Sequence, residues 1–186
     1  MKKISVLLVL FTSLTFATTI AFNGMEVISN GKGLKVGANA PTFYTTTINF
    51  EDMIVGGQKD KIQIIAFVPS LDTGTCRLET IEFNKKVSQM KNVLLTIVSK
   101  DTPFAQKRFC RDNSIKNIIT VSDYKGDPRA LRYGTTITSP IYLEGFFSRV
   151  VYIVNTQGKI AYVQVVKEIT EQPNYDAIIK ALKKIK

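Results

Sequence analysis

Apolar runs of strand length alternate along this chain with stretches whose apolar residues recur at helical spacing. Residues 62–68 (IQIIAFV), 93–98 (VLLTIV) and 118–121 are continuous aliphatic and β-branched runs, the pattern of strands buried on both faces. Residues 149–154 and 160–166 flank Asn155-Thr156-Gln157-Gly158, which predicts a hairpin. Between the first two runs, residues 76–90 place Phe83, Val87 and Met90 on one helical face. Residues 103–110 predict a shorter helix, with Pro103 at its start, where a missing N–H costs nothing. The last helix starts at Asn174, a good N-cap, and buries Tyr175, Ile178, Ile179, Leu182 and Ile185. Its lysines at 180, 183, 184 and 186 take the outer face and complement the C-terminal dipole. This order predicts an α/β layer fold, a mixed central sheet carrying helices on both faces.

The first residues follow another pattern. Lys2 and Lys3 make a positive start, no charge follows until Glu26, and Thr15-Phe16-Ala17 offers small residues where a signal peptidase reads. That layout predicts a secretory signal peptide over residues 1–17, cleaved after Ala17, with the folded domain over 18–186. Residues 18–23 already read as the start of a strand, through Ile20 and Phe22, which shortens the apolar run below a membrane span. The expected location is therefore periplasmic or otherwise exported, without stable membrane insertion after cleavage.

Composition narrows the chemistry. With no histidine among 186 residues, imidazole bases, His-based triads and His-ligated metal or haem sites are excluded. The net charge of +10 comes from scattered lysines and arginines, reads as an ordinary basic surface, and predicts no nucleic-acid partner. There are two cysteines, Cys76 and Cys110. In an oxidising compartment an even count suggests a disulfide between them. Two thiols without histidine supply too few ligands for a metal, and no cofactor is expected.

Cys76 stands where a buried strand gives way to a helix. In a first helical turn it feels the positive end of the helix dipole and nearby unpaired N–H groups, and both favour thiolate. Thr73, three residues earlier, can bring its hydroxyl to the sulfur or to an incoming oxygen, and Pro69 ends the strand. Pro69-x-x-x-Thr73-x-x-Cys76 resembles the active-site signature of the peroxiredoxins. Its flanks, FVPSLDTGTC (67–76) and SKDTPFAQKRFC (99–110), are similar to the bacterial thiol peroxidase branch. KVGANAPTF (35–43) and EITEQPNYD (168–176) resemble further segments of that branch, so the likeness runs from about residue 20 to the end.

The resemblance implies a thioredoxin-like fold, its central mixed β-sheet flanked by helices, with an N-terminal β-hairpin extension. It implies a thiol-dependent peroxidase acting on hydrogen peroxide and organic hydroperoxides. Cys76 matches the peroxidatic cysteine, Thr73 the hydroxyl donor, Pro69 the residue shielding the pocket and Cys110 the resolving cysteine. The family's pocket arginine falls at Arg149, although residue chemistry alone does not prefer it over Arg77. The implied partners are thioredoxin, or an exported thioredoxin-like reductant, and a second copy in a homodimer. Disulfide closure would need local unwinding of one or both cysteine-bearing helices. Lys100, the bulky Phe146-Phe147-Ser148 run and the export signal depart from the pattern. Two other readings compete. One is an exported binding protein stapled by a Cys76–Cys110 disulfide. The other is a thioredoxin-like disulfide oxidoreductase, which wants a Cys-x-x-Cys that this chain lacks.

Overall fold

The computed structural model describes residues 19–87 and 90–185, so the leader expected over residues 1–17 lies outside the described residues. In chain order the elements are β1 (Ile20–Phe22), β2 (Met25–Ser29), β3 (Phe43–Thr47), β4 (Asp52–Val55), β5 (Ile62–Phe67), α1 (Gly74–Val87), β6 (Val93–Ser99), α2 (Pro103–Asp112), β7 (Ile119–Ser122), β8 (Ile137–Ser139), β9 (Val150–Val154), β10 (Ile160–Val165) and α3 (Tyr175–Leu182). A seven-stranded sheet has the order β10-β9-β5-β6-β7-β3-β4, and a small sheet joins the β1–β2 hairpin to β8. The pairs β5–β6 and β6–β7 are parallel and the other neighbours antiparallel, which makes the sheet mixed. No helix among the described residues is long and apolar enough to cross a membrane.

Strand periodicity divides the core. Ile64, Ala66, Leu95, Ile97, Val151 and Ile153 point to one face, where they meet Phe83 and Val87 of α1, Phe109 and Cys110 of α2, and Ile178 and Leu182 of α3. Ile65, Phe67, Val98, Val150, Tyr152 and Val154 point to the other, where Phe43 and Tyr133 join them. Expecting helices on both faces overstates the second. Three α-helices cover the first face, and the second packs against the 3-10 turn Ala130–Tyr133. Tyr133 seals it by donating its hydroxyl to the Pro41 carbonyl at 2.7 Å.

The predicted strands in the sheet centre appear within a residue or two of their expected ends. Met90 lies outside α1, and Lys183 and Lys184 lie beyond α3, so Lys180 alone faces that helix's last turn. Asn174 caps α3 through its side chain, which accepts from Ala177 N–H. The β3–β4 hairpin and β8 do not stand out in the sequence, because their short runs, FYTTT, DMIV and ITS, carry little periodic signal.

One side chain fixes the approach to α1. Asp101, just past β6, accepts from Ser70 Oγ at 2.7 Å, from Leu71 N–H at 2.7 Å and from Ser99 Oγ at 2.7 Å. It therefore ties the β5–α1 loop to the neighbouring strand end. A carboxylate accepting three hydrogen bonds contributes more than three neutral pairs would. Replacing it (Asp101→Ala) should cost about 3 kcal/mol and lower the melting temperature by about 6–12 °C for a chain of this size. A thermal melt of the reduced protein reads this directly, and a change below about 2 °C would mean that the loop is held by other contacts.

Candidate active site

The β5–α1 loop turns into its helix at Thr73. The Thr73 carbonyl accepts the first helical bond, from Arg77 N–H at 3.0 Å, and its hydroxyl oxygen accepts from Cys76 N–H at 3.3 Å. Thr73 is thus the N-cap, and Cys76 occupies the third helical position, still within the first turn at the positive end of the helix dipole. The Thr73 hydroxyl proton points to the Ser70 carbonyl at 3.1 Å, so the bonds it makes in this structure go to backbone rather than to sulfur. Thr80, one turn on, donates to the Cys76 carbonyl at 2.8 Å and fixes that turn from below.

Cys76 is fully enclosed, and Arg149 reaches it from the start of β9. The guanidinium is 1% exposed. Its Nη2 donates to Cys76 Sγ at 3.4 Å and to the Ile169 carbonyl at 2.8 Å, Nε donates to the same carbonyl at 3.0 Å, and Nη1 pairs with Glu79 Oε2. Burial works against the Arg149 charge, but Glu79 and the Cys76 sulfur outweigh it and hold the group above its ordinary value. Arg77 turns the other way: it is exposed and donates Nε to Asn113 Oδ1 at 2.8 Å. The immediate sequence neighbour of Cys76 therefore faces α2, while an arginine 73 positions away faces the sulfur.

Beside the guanidinium lies a cavity of about 270 Å³. Pro69, Ser70, Thr73, Gly74, Thr75 and Arg149 line it together with the apolar side chains of Phe22, Ile137, Leu143, Phe146 and Ile169. Phe146 thus belongs to this cavity, whereas Phe147 packs into the core on the far face and Ser148 bonds the Thr135 carbonyl at 3.0 Å. Lys100 bridges to Asp123 at 2.7 Å and sits 4.8 Å over the Phe147 ring, away from the sulfur's contacts.

Cys110 lies elsewhere on the same apolar face. It is a free thiol on α2, 8% exposed, with Sγ 3.2 Å from Thr120 Oγ1. Burial pushes this thiol up, and the Thr120 hydrogen bond opposes the rise. Cys76 is also a free thiol, so the structure brings Cys76, Thr73, Pro69 and Arg149 together and leaves Cys110 within its own helix.

Sequence reasoning missed Glu79. It follows Cys76 by three residues, which puts both on one helical face, but nothing in the spacing says that this carboxylate is enclosed. Glu79 is fully buried, its Oε1 has no partner among the described residues, and burial pushes its carboxyl up to about 7 against the pull of Arg149. In the unfolded chain an ordinary carboxyl ionises near 4.3. The folded protein therefore holds this proton longer, and the stability it contributes is complete below that ordinary value and lost as pH rises through about 7. Relative to Glu79→Gln, the wild type should lose stability between pH 5 and 8 in urea titrations under reducing conditions. A wild type that gains over this window would mean that Arg149 dominates and the carboxyl is depressed.

Comparison with known proteins places these features in a family context. A family model described as Redoxin matches residues 35–179. A thiol peroxidase of Aquifex aeolicus is 43% identical over 169 residues, which cover 91% of this chain and 99% of that protein. A thiol peroxidase of Bacillus subtilis is 35% identical over 164 residues, covering 88% and 96%. Among solved structures, a peroxiredoxin-like protein from Aquifex aeolicus superposes with a TM-score of 0.86 at 44% identity, covering 90% of this chain and 96% of that one. A thiol peroxidase from Chromobacterium violaceum shares the fold, with a TM-score of 0.79 at 19% identity over 89% and 95% of the two chains.

Proposed function

The chain belongs to the thiol peroxidases, a branch of the peroxiredoxins with a thioredoxin-like fold, and on that premise we propose that Cys76 attacks the peroxide and Cys110 resolves the product. The observation that carries the assignment is the buried Arg149 guanidinium donating to Cys76 Sγ at 3.4 Å beside an apolar cavity. The Cys76 thiolate attacks one peroxide oxygen, the O–O bond breaks, and the other oxygen leaves as water or an alcohol once protonated. Arg149 and the first amides of α1 stabilise the charge that grows on the leaving oxygen. Thr73 serves the same oxygen after its hydroxyl swings from Ser70, and Pro69 shields the pocket wall. Cys76 is left as sulfenic acid. The Cys110 sulfur attacks that sulfur, an S–S bond forms, and water leaves.

The apolar walls formed by Phe22, Ile137, Leu143 and Phe146 favour organic hydroperoxides alongside hydrogen peroxide. A thioredoxin-type dithiol closes the cycle by returning two electrons and two protons. For a chain that is exported, that donor is a thioredoxin-like protein of the same compartment.

Substitution separates these roles. Cys76→Ser should abolish peroxide consumption, because a serine hydroxyl is not ionised near neutral pH. Cys110→Ser should consume about one equivalent per chain and accumulate a sulfenic acid that dimedone traps. Arg149→Ala should slow the reaction at least about tenfold and Arg77→Ala far less. Equal inertness of both serine variants, with equal loss of melting temperature, would favour a structural staple instead. The opposite arginine ranking would overturn the role given to Arg149.

Export rests on the leader pattern of residues 1–17. A homodimer draws support from Phe50 and Phe104, which are 50% and 69% exposed and meet in a tilted ring contact, centroids 4.7 Å apart. Protein purified from the native envelope should begin near Thr18 by mass spectrometry and sediment as a dimer. An intact Met1 in a soluble cytoplasmic fraction would overturn the first expectation, and a monomer at micromolar concentration the second.

A further inference from the structure

Cys110 and Thr120 form a closed pair. Their 3.2 Å contact is the only side-chain hydrogen bond either makes among the described residues, and they are 8% and 3% exposed. The two halves of α2 are held differently. In the first half, Thr102 caps Ala105 N–H, and Gln106, fully buried, donates Nε2 to Ser99 Oγ at 3.0 Å and to the Val121 carbonyl at 2.8 Å. The second half, which carries the thiol, is held by Asn113 on the Phe109 carbonyl, by Arg77 on Asn113, and by the Cys110–Thr120 contact. The first two of these bonds lie toward the surface, whereas Cys110–Thr120 is buried. It is the bond in this half whose loss leaves a polar atom sealed from water.

We propose that Thr120 is a latch on the resolving thiol, holding Cys110 in the dithiol form, slowing disulfide closure and easing reduction of the finished disulfide. The proposal rests on the reading of Cys110 as the resolving cysteine. In closure the Cys110 sulfur leaves Thr120 and bonds Cys76, the sulfenic S–O bond breaks, and the Cys110 proton departs with the hydroxyl as water. Whether as donor or as acceptor, the Cys110 sulfur is withdrawn into the disulfide, so the Thr120 hydroxyl loses its side-chain partner. That cost falls on the oxidised form alone. When an external dithiol supplies two electrons and two protons, both thiols return and the contact re-forms. The latch therefore acts on both directions of the cycle through one hydrogen bond.

Thr120→Val keeps the shape and strand preference of the residue and removes the hydroxyl, while Thr120→Ser keeps the hydroxyl. Pre-reduced protein would receive one equivalent of hydrogen peroxide, be quenched with an alkylating agent at intervals, and be read by mass spectrometry for the disulfide. The disulfide-to-dithiol ratio would then be measured at equilibrium in dithiothreitol buffers. Thr120→Val should raise both the closure rate and the equilibrium ratio by about three- to tenfold, and Thr120→Ser should remain near wild type. Thr120→Ala against Thr120→Ser gives the same comparison if valine disturbs β7. Unchanged rate and ratio in the hydroxyl-free variants, or a serine variant that behaves like valine, would overturn the latch while leaving the resolving role intact. A wild type that forms no Cys76–Cys110 disulfide would overturn both.

Discussion

A guanidinium 1% exposed keeps its proton under all physiological conditions, so the fold must surround Arg149 with acceptors or lose several kcal/mol to desolvation. It does so with three kinds of group: the Ile169 carbonyl, the Glu79 carboxyl and the Cys76 sulfur. Two of these can each carry a negative charge, and one cation faces them both. Burial raises the Glu79 carboxyl to about 7 while the guanidinium pulls it down, so one cation is shared among all three acceptors.

The same constraint explains why elements far from the sulfur matter to it. Ile169 can accept two guanidinium bonds only if the segment before α3 is held in place. β1 does this, with Ala21 N–H bonding the Lys167 carbonyl at 2.6 Å and Ile169 N–H bonding the Ala21 carbonyl at 2.8 Å. Glu168 adds a second tie, its carboxylate accepting from the amides of Asn23 and Gly24 in the hairpin turn at 3.0 and 3.1 Å. Asn23 and Gly24 both have positive φ there, which turns consecutive N–H groups toward one anion. On the opposite side, Thr75 Oγ1 donates to the Thr170 carbonyl at 2.9 Å and joins the same segment to the first turn of α1. The N-terminal hairpin is therefore a brace for the arginine's acceptor as well as an edge of the small sheet.

These couplings also mark where sequence reading stops. The strands of the sheet centre and the helix that carries Cys76 were legible because their signals are local: continuous β-branched runs, a proline that ends the strand, apolar residues at helical spacing. Choosing between Arg77 and Arg149 was not a local question, since it depends on β9 pairing with β5 and aiming a side chain across 73 positions at the sulfur. Resemblance to a family pointed to Arg149 where physical reasoning from spacing could not. Glu79, Asp101 and Thr120 left no such mark. Each is an ordinary polar residue whose role arises from a partner in another element: Arg149, the Ser70–Leu71 loop and Cys110 respectively.

Magnitudes indicate what the pocket must supply beyond a charged sulfur. An ordinary thiol of pKa about 8.5 is roughly 3% ionised at pH 7, so complete ionisation can gain at most about thirtyfold. Nucleophilicity falls as a thiolate is stabilised, which erodes part of that gain. Peroxidase catalysis of any useful size must therefore come from charge developing away from the sulfur, on the departing oxygen. Arg149 is suited to this because it touches both the sulfur and the cavity: one Nη2 reaches Sγ at 3.4 Å while the side chain lines the cavity wall. A donor already fixed by Ile169 and Glu79 needs no reorganisation as the O–O bond breaks, and, buried as it is, its interaction is stronger than in solvent. The residues that immobilise the arginine thus contribute to rate in the proposed reaction by removing its freedom to relax.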